Sequence, residues 1–229
     1  RDDAAGLAIS EKLKSQIRSL GQAERNAMDG ISMLQVAEGS MNETNSVLTR
    51  MRELAIQGAT DTNSNTERDF LDLEFQALVS EIDRIANVTE FNGTQLVDGT
   101  AGTLDFQIGI ENSANDRISV SIDDMNSAQL GDGTAINALS LQTKSGAQTA
   151  LNTIDAAIED VVTARAEIGA TQNRMQVAIG NLEVWRENLA GANSRIRDVD
   201  VAEEAAAMTR SNILMQAGTS ILAQANQSP

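Results

Sequence analysis

The chain is 229 residues long, 41% apolar, and carries 33 acidic against 17 basic residues for a net charge of −16. It has neither cysteine nor histidine, which removes thiol nucleophiles, disulfides, Cys/His metal centres and imidazole-based triads. The acidity repels phosphate backbones and anionic membranes at long range, and no apolar run approaches the ~18 residues of a membrane span.

From about Leu7 to Gln57 there is no proline, and Gly21, Gly30 and Gly39 are the glycines. Apolar residues return at spacings of four and three: Leu13, Ile17, Leu20, Ala27, Ile31, Leu34, Met41 and Leu48. That grid predicts one long helix with a single apolar stripe, ending near Gly58. The polar run Ala59 to Asn65 is a loop. A second helix is expected from Thr66 as N-cap, with Asp69 completing an approximate capping box. Its stripe is Leu71, Phe75, Leu78, Ile82 and Ile85, and it ends before the turn Phe91-Asn92-Gly93.

The middle changes period. Thr103 to Ile110 and Arg117 to Ile122 alternate about a polar connection, which predicts a β-hairpin. Residues 123–146 are rich in Gly, Ser, Thr and Asn and read as loop, with a short helical turn at Ala135 to Leu139. From Ala147 to about Arg195 the helical grid resumes through Leu151, Ile154, Ile158, Val161, Ile168, Met175, Ile179, Leu182, Leu189 and Ile196. Past the acidic cluster Asp198-Val199-Asp200, the residues Val201, Ala205, Met208, Met215 and Leu222 predict further helix.

With Phe70, Phe75, Phe91, Phe106 and Trp185 as its aromatic residues, the core is aliphatic and suits narrow helix–helix seams. The expected fold is mainly α: an elongated antiparallel bundle of long coiled-coil-like helices with a small β-hairpin region. Polar residues interrupt the seams, at Glu24, Glu38 and Asn45 on the first rod and at Arg165, Gln172, Arg186 and Asn193 on the C-terminal one. A register with Glu38 opposite Ile168 leaves Arg165 one turn away and brings Arg186 within a turn of Glu24. Such pairs fix register more than they stabilise, because desolvation roughly offsets the Coulomb attraction.

No catalytic constellation emerges. The acidic pairs Asp2-Asp3, Asp123-Asp124 and Glu203-Glu204 have no concave, water-poor setting of the kind that raises a carboxyl pKa. Asp61 to Asn65 lacks the glycine and the Glu of a calcium loop, and Gly131-Asp132-Gly133 lacks the Lys-Ser/Thr of a phosphate loop. The N-glycosylation triplets at Asn42, Asn87 and Asn92 match a pattern frequent by chance. No metal, cofactor or catalytic residue is expected. Surfaces remain, and on the first rod Arg50, Arg52 and Glu53 flank Leu48 and Met51 as a charged helical edge.

Four motifs, in order, resemble bacterial flagellin. They are Asp2-Asp3-Ala4-Ala5-Gly6-Leu7-Ala8-Ile9-Ser10 with Met51-Arg52-Glu53-Leu54-Ala55-Ile56-Gln57; Glu90-Phe91-Asn92-Gly93-Thr94-Gln95-Leu96; Ile213-Leu214-Met215-Gln216-Ala217-Gly218; and Ile221-Leu222-Ala223-Gln224-Ala225-Asn226-Gln227. The resemblance covers residues 1–98 and 147–229. It implies a structural, non-enzymatic subunit that polymerises into the extracellular flagellar filament used for motility. It also implies export as an unfolded chain without a cleaved signal peptide.

The implied organisation is a long helix, loop and second helix in 1–98, a hairpin and loop segment in 99–146, and a long C-terminal bundle helix in 147–197. Residues 198–229 would form part of an inner coiled coil whose N-terminal partner helix precedes Arg1. Alone, the chain is then expected to stay monomeric, with Met208, Ile213, Leu214, Ile221 and Leu222 exposed. Its short middle resembles that of a minimal flagellin. Implied partners are other flagellin subunits, an export chaperone, a filament cap protein and the vertebrate Toll-like receptor for flagellin. The residues that match the receptor and subunit contact are Arg50, Arg52, Leu54, Gln57 and Glu74, with departures at Thr49 and Leu78. Two alternatives are a hook–filament junction protein, which shares the terminal motifs, and a surface-displayed homologue acting as a ligand-binding module.

Overall fold

The computed structural model describes residues 4–198 and 201–225. Arg1, Asp2, Asp3, Val199, Asp200, Asn226 and Gln227, named above, lie outside them. The architecture is mainly α. Helix α1 spans Ala4–Gly58, α2 Asn65–Val88, α3 Lys144–Arg197 and α4 Val201–Ala225. Two small antiparallel pairs lie between α2 and α3: β1 (Glu90–Phe91) with β2 (Thr94–Gln95), and β3 (Thr103–Gln107) with β4 (Arg117–Ser121). A 3-10 turn at Ile136–Ala138 occupies the place of the expected helical turn.

The chain divides into two units: residues 19–183, and residues 1–18 together with 184–229. In the first unit the stripe of α1 is buried at Leu20, Ala27, Leu34, Met41 and Leu48, and from Leu34 onward it joins Phe75, Val79 and Ile82 of α2 and Ile154, Val161, Ile168 and Met175 of α3. Ile118 and Val120 of β4 enter the same core, so the hairpin packs on the bundle through its inward-pointing alternate residues. Close contact is possible because Gly30 has no side chain. A Cβ there would lie 2.7 Å from Cδ1 of Phe106, whose ring rests on the backbone of α1. The β1–β2 pair turns through Asn92 and Gly93, both at positive φ (50° and 79°), as a two-residue Asn-Gly hairpin requires.

Two expectations need correction. The cap of α2 is Ser64, not Thr66: Ser64 Oγ accepts from the Glu67 amide, and Glu67 Oε2 accepts from the Ser64 amide at 2.6 Å. Glu closes this reciprocal box because it is one methylene longer than the Asp at position 69. The buried face of α2 also differs. It comprises Arg68, Asp72, Phe75, Val79, Ile82 and Ala86, while Leu71, Leu78 and Ile85 are half-buried.

The middle segment causes this shift. Asp72 accepts from the Leu141 amide at 2.6 Å, Gln76 donates to the Leu139 carbonyl, and Asp83 accepts from both the amide and hydroxyl of Ser127. The loop therefore covers a polar side of α2 that the apolar stripe does not mark. Arg68, also buried, donates to the carbonyls of Gly58 and Thr60 and ties the end of α1 to the start of α2.

In the second unit, Ser10 Oγ donates to Asn193 Oδ1 at 2.8 Å, and Arg197 lies 3.8 Å from Glu11. Helix α4 leaves Met208, Ile213, Leu214, Ile221 and Leu222 between 60% and 66% exposed.

Candidate functional site

No helix among the described residues is long and apolar enough to cross a membrane. The most organised exposed patch sits where α1 and α2 run side by side.

Arg50 Nε and Nη2 donate to Glu74 Oε1 at 2.9 and 2.8 Å, and Nη1 donates to Glu53 Oε2 at 2.9 Å. One guanidinium thus bridges two helices and also closes an i,i+3 pair. Its charge is reinforced, first by the Glu74 hydrogen bond and then by that of Glu53, which raise its pKa. All three groups are exposed, so the pair orders the surface more than it stabilises the fold. Arg52, half-buried on the same helix, makes two hydrogen bonds to the carboxylate of Asp155 on α3, which likewise raise its pKa. Gln57 is exposed, and its carbonyl accepts from Asn63 Nδ2.

Leu54 does not belong to this patch. It is 1% exposed in the core. Near its end α1 packs between α2 and α3, so its buried arc widens to include Met51, Leu54, Ala55 and Gly58. A single heptad stripe underestimates an arc shared by two neighbours.

On the other flank of α1, Glu38 accepts from Gln172 Nε2 at 3.1 Å and lies 3.9 Å from Arg165. Together with Arg52–Asp155, these contacts set α1 antiparallel to α3. Glu24 is buried in the first unit, whereas Arg186 belongs to the second. Asn45 Oδ1 and Arg165 Nε are buried without a hydrogen-bond partner, so the polar layer of this seam is incompletely satisfied. The carboxylates Asp72 and Asp83, which hold the middle segment, were not singled out in the sequence. Each sits within an ordinary charged helix pattern, and the groups it binds lie more than forty residues away along the chain.

Residues 1–102 match the family model for the bacterial flagellin N-terminal helical region, and residues 151–229 match that for the C-terminal helical region. The chain is 46% identical over 228 residues to a flagellin of Halalkalibacterium halodurans, covering all of this chain and 82% of that one. Among solved structures it is similar to a Bacillus cereus flagellin, with a TM-score of 0.59 and 31% identity over 69% of this chain and 88% of that one. A hook-associated protein from Vibrio parahaemolyticus aligns over 85% of this chain and 98% of its own, with a TM-score of 0.72. At 16% identity that likeness concerns the fold alone.

Proposed function

This chain belongs to the bacterial flagellin family, and from that membership we propose that its copies polymerise into the extracellular filament that a flagellar motor turns for motility. The observation that carries the proposal is the pair of family regions at the two chain ends, which together supply α1, α2, α4 and most of α3. In this reading residues 1–98 supply the first two bundle helices and 147–197 the third, 99–146 dress the surface, and 198–229 belong to an inner coiled coil. The exposed apolar residues of α4 support that last role, since a helix with such a face is suited to a partner helix. Export without a cleaved signal peptide, an export chaperone and a filament cap belong to the same proposal. The purified protein should form filaments visible by electron microscopy. Protein that stays monomeric under assembly conditions would refute it.

A second reading concerns recognition by the vertebrate Toll-like receptor for flagellin. The joined, exposed Arg50 and Glu74 support it, because they offer a charge pair fixed across two helices. Arg50→Ala and Glu74→Ala should each lower receptor signalling. Undiminished signalling in both would end this reading.

A further inference from the structure

Two surfaces of residues 19–183 are complementary in shape class and charge, and they lie on different elements. The first is a knob on α2. Phe70 and Leu73 are 66% and 68% exposed on the face opposite Phe75, Val79 and Ile82. The other phenylalanines are buried (Phe75) or half-buried (Phe91, Phe106), so Phe70 stands out as an aromatic side chain left in water. Carboxylates flank the knob: Glu74 on one side, held by Arg50, and on the other Asp69, whose carboxylate has no hydrogen bond or ion pair among the described residues.

The second surface is a cleft of about 540 Å³ between the β3–β4 hairpin and α3, lined by Ile108, Ile118 and Val177 and flanked by Arg117 and Arg174. Val177 is 66% exposed. Arg117 is held by the neutral side chains of Gln107 and Asn112, and among the described residues neither arginine has a carboxylate within ion-pair reach. Two uncompensated cations beside an apolar cleft are unusual in a chain of net charge −16.

A polymer of one repeating subunit needs heterologous contacts, in which one patch meets a different patch on the next copy. An apolar centre with an exposed aromatic and a charged rim is the usual anatomy of such a contact. We propose that the Phe70–Leu73 knob of one subunit seats in the Arg117–Arg174 cleft of a second copy, with Asp69 facing Arg174. This rests on the filament reading and names one interface within it.

The chain has no cysteine, so an engineered pair reports this contact alone. In full-length protein, Leu73→Cys with Val177→Cys should give reductant-sensitive dimers and higher multimers when assembled filaments are mildly oxidised. Each single variant should give none. Filaments that form but yield no multimers would overturn the interface and leave the filament reading standing. Wild-type protein that forms no filaments would remove both.

If the cysteine pair blocks assembly, a charge swap decides. Asp69→Arg alone and Arg174→Asp alone should each raise the critical concentration about tenfold or more, and the double variant should recover most of it. A double variant no better than the poorer single would overturn the interface.

Discussion

The same substitution at two glycines of α1 should have opposite effects. Gly39 and Gly30 both lie inside the helix, where Gly→Ala favours folding by about 0.8–1 kcal/mol through backbone entropy and propensity. A Cβ at Gly39 meets nothing within 4 Å, so that gain is kept whole. At Gly30 the new methyl lies 2.7 Å from Phe106 Cδ1 and 3.0 Å from Cε1, so the ring must be displaced. Overpacking of this kind costs about 1–3 kcal/mol, leaving Gly30→Ala destabilised by roughly 0–2 kcal/mol once the propensity gain is subtracted. The difference between the two variants cancels propensity and isolates the ring contact, at about 1–3 kcal/mol. Urea unfolding followed by circular dichroism measures it, since both variants share one slope if the unfolded state is unchanged. Phe106→Leu in the Gly30→Ala background should recover part of the loss. A difference below about 0.5 kcal/mol would mean that Phe106 does not pack on Gly30.

Further outcomes follow from other contacts. Ser64→Ala should cost about 1 kcal/mol through loss of the capping box, whereas Thr66→Ala should cost little; the reverse order in urea midpoints would restore Thr66 as the cap. The Glu67 carboxyl is held below its ordinary value of 4.5, mainly by the Ser64 amide hydrogen bond. Its contribution is therefore present above about pH 4.5 and lost as pH falls through the lower folded value, so Glu67→Gln should flatten the fall of stability on acidification. Asp61, Glu81 and Asp98 are lowered too, by Lys144, Arg84 and Thr100, so part of the slope should remain. Arg68→Met should destabilise by about 1.5–3 kcal/mol, because the carbonyls of Gly58 and Thr60 lose a charged donor. Leu54→Ala should cost about 2–5 kcal/mol as a core truncation, while Arg50→Ala, at an exposed ion pair, leaves the thermal midpoint nearly unchanged; thermal unfolding separates the two.

The long helices were legible because their burial follows a period that sequence displays directly. Leu20, Leu34, Met41 and Leu48, or Ile154, Val161, Ile168 and Met175, are apolar at heptad spacing and buried in the structure. The Asn-Gly turn and the β3–β4 hairpin were legible for a similar reason, since both depend on residues near one another in the chain. What stayed hidden depends on distant neighbours. Leu54 is inside because two helices, not one, flank α1 there. Asp72 and Asp83 are structural because residues 127 and 141 arrive beside them, and no local pattern announces that arrival. Ser64 and Thr66 both begin an acceptable capping pattern, and the reach of a Glu against that of an Asp selected between them. The Arg50–Glu74 pair joins residues that the family resemblance named one by one, and only helix packing brings the two charges within 3 Å.

The bonds that hold residues 123–141 against the helices end mainly on main-chain atoms. The amides of Ser127, Gly131 and Leu141 donate to Asp83, Asp160 and Asp72, and the carbonyl of Leu139 accepts from Gln76. Every residue except proline offers that amide, and every residue offers that carbonyl. The helices therefore grip the segment by features that substitution by any residue but proline leaves in place. Its outward side chains are free to drift, and the exposed face of the segment can be rewritten without loosening the scaffold beneath.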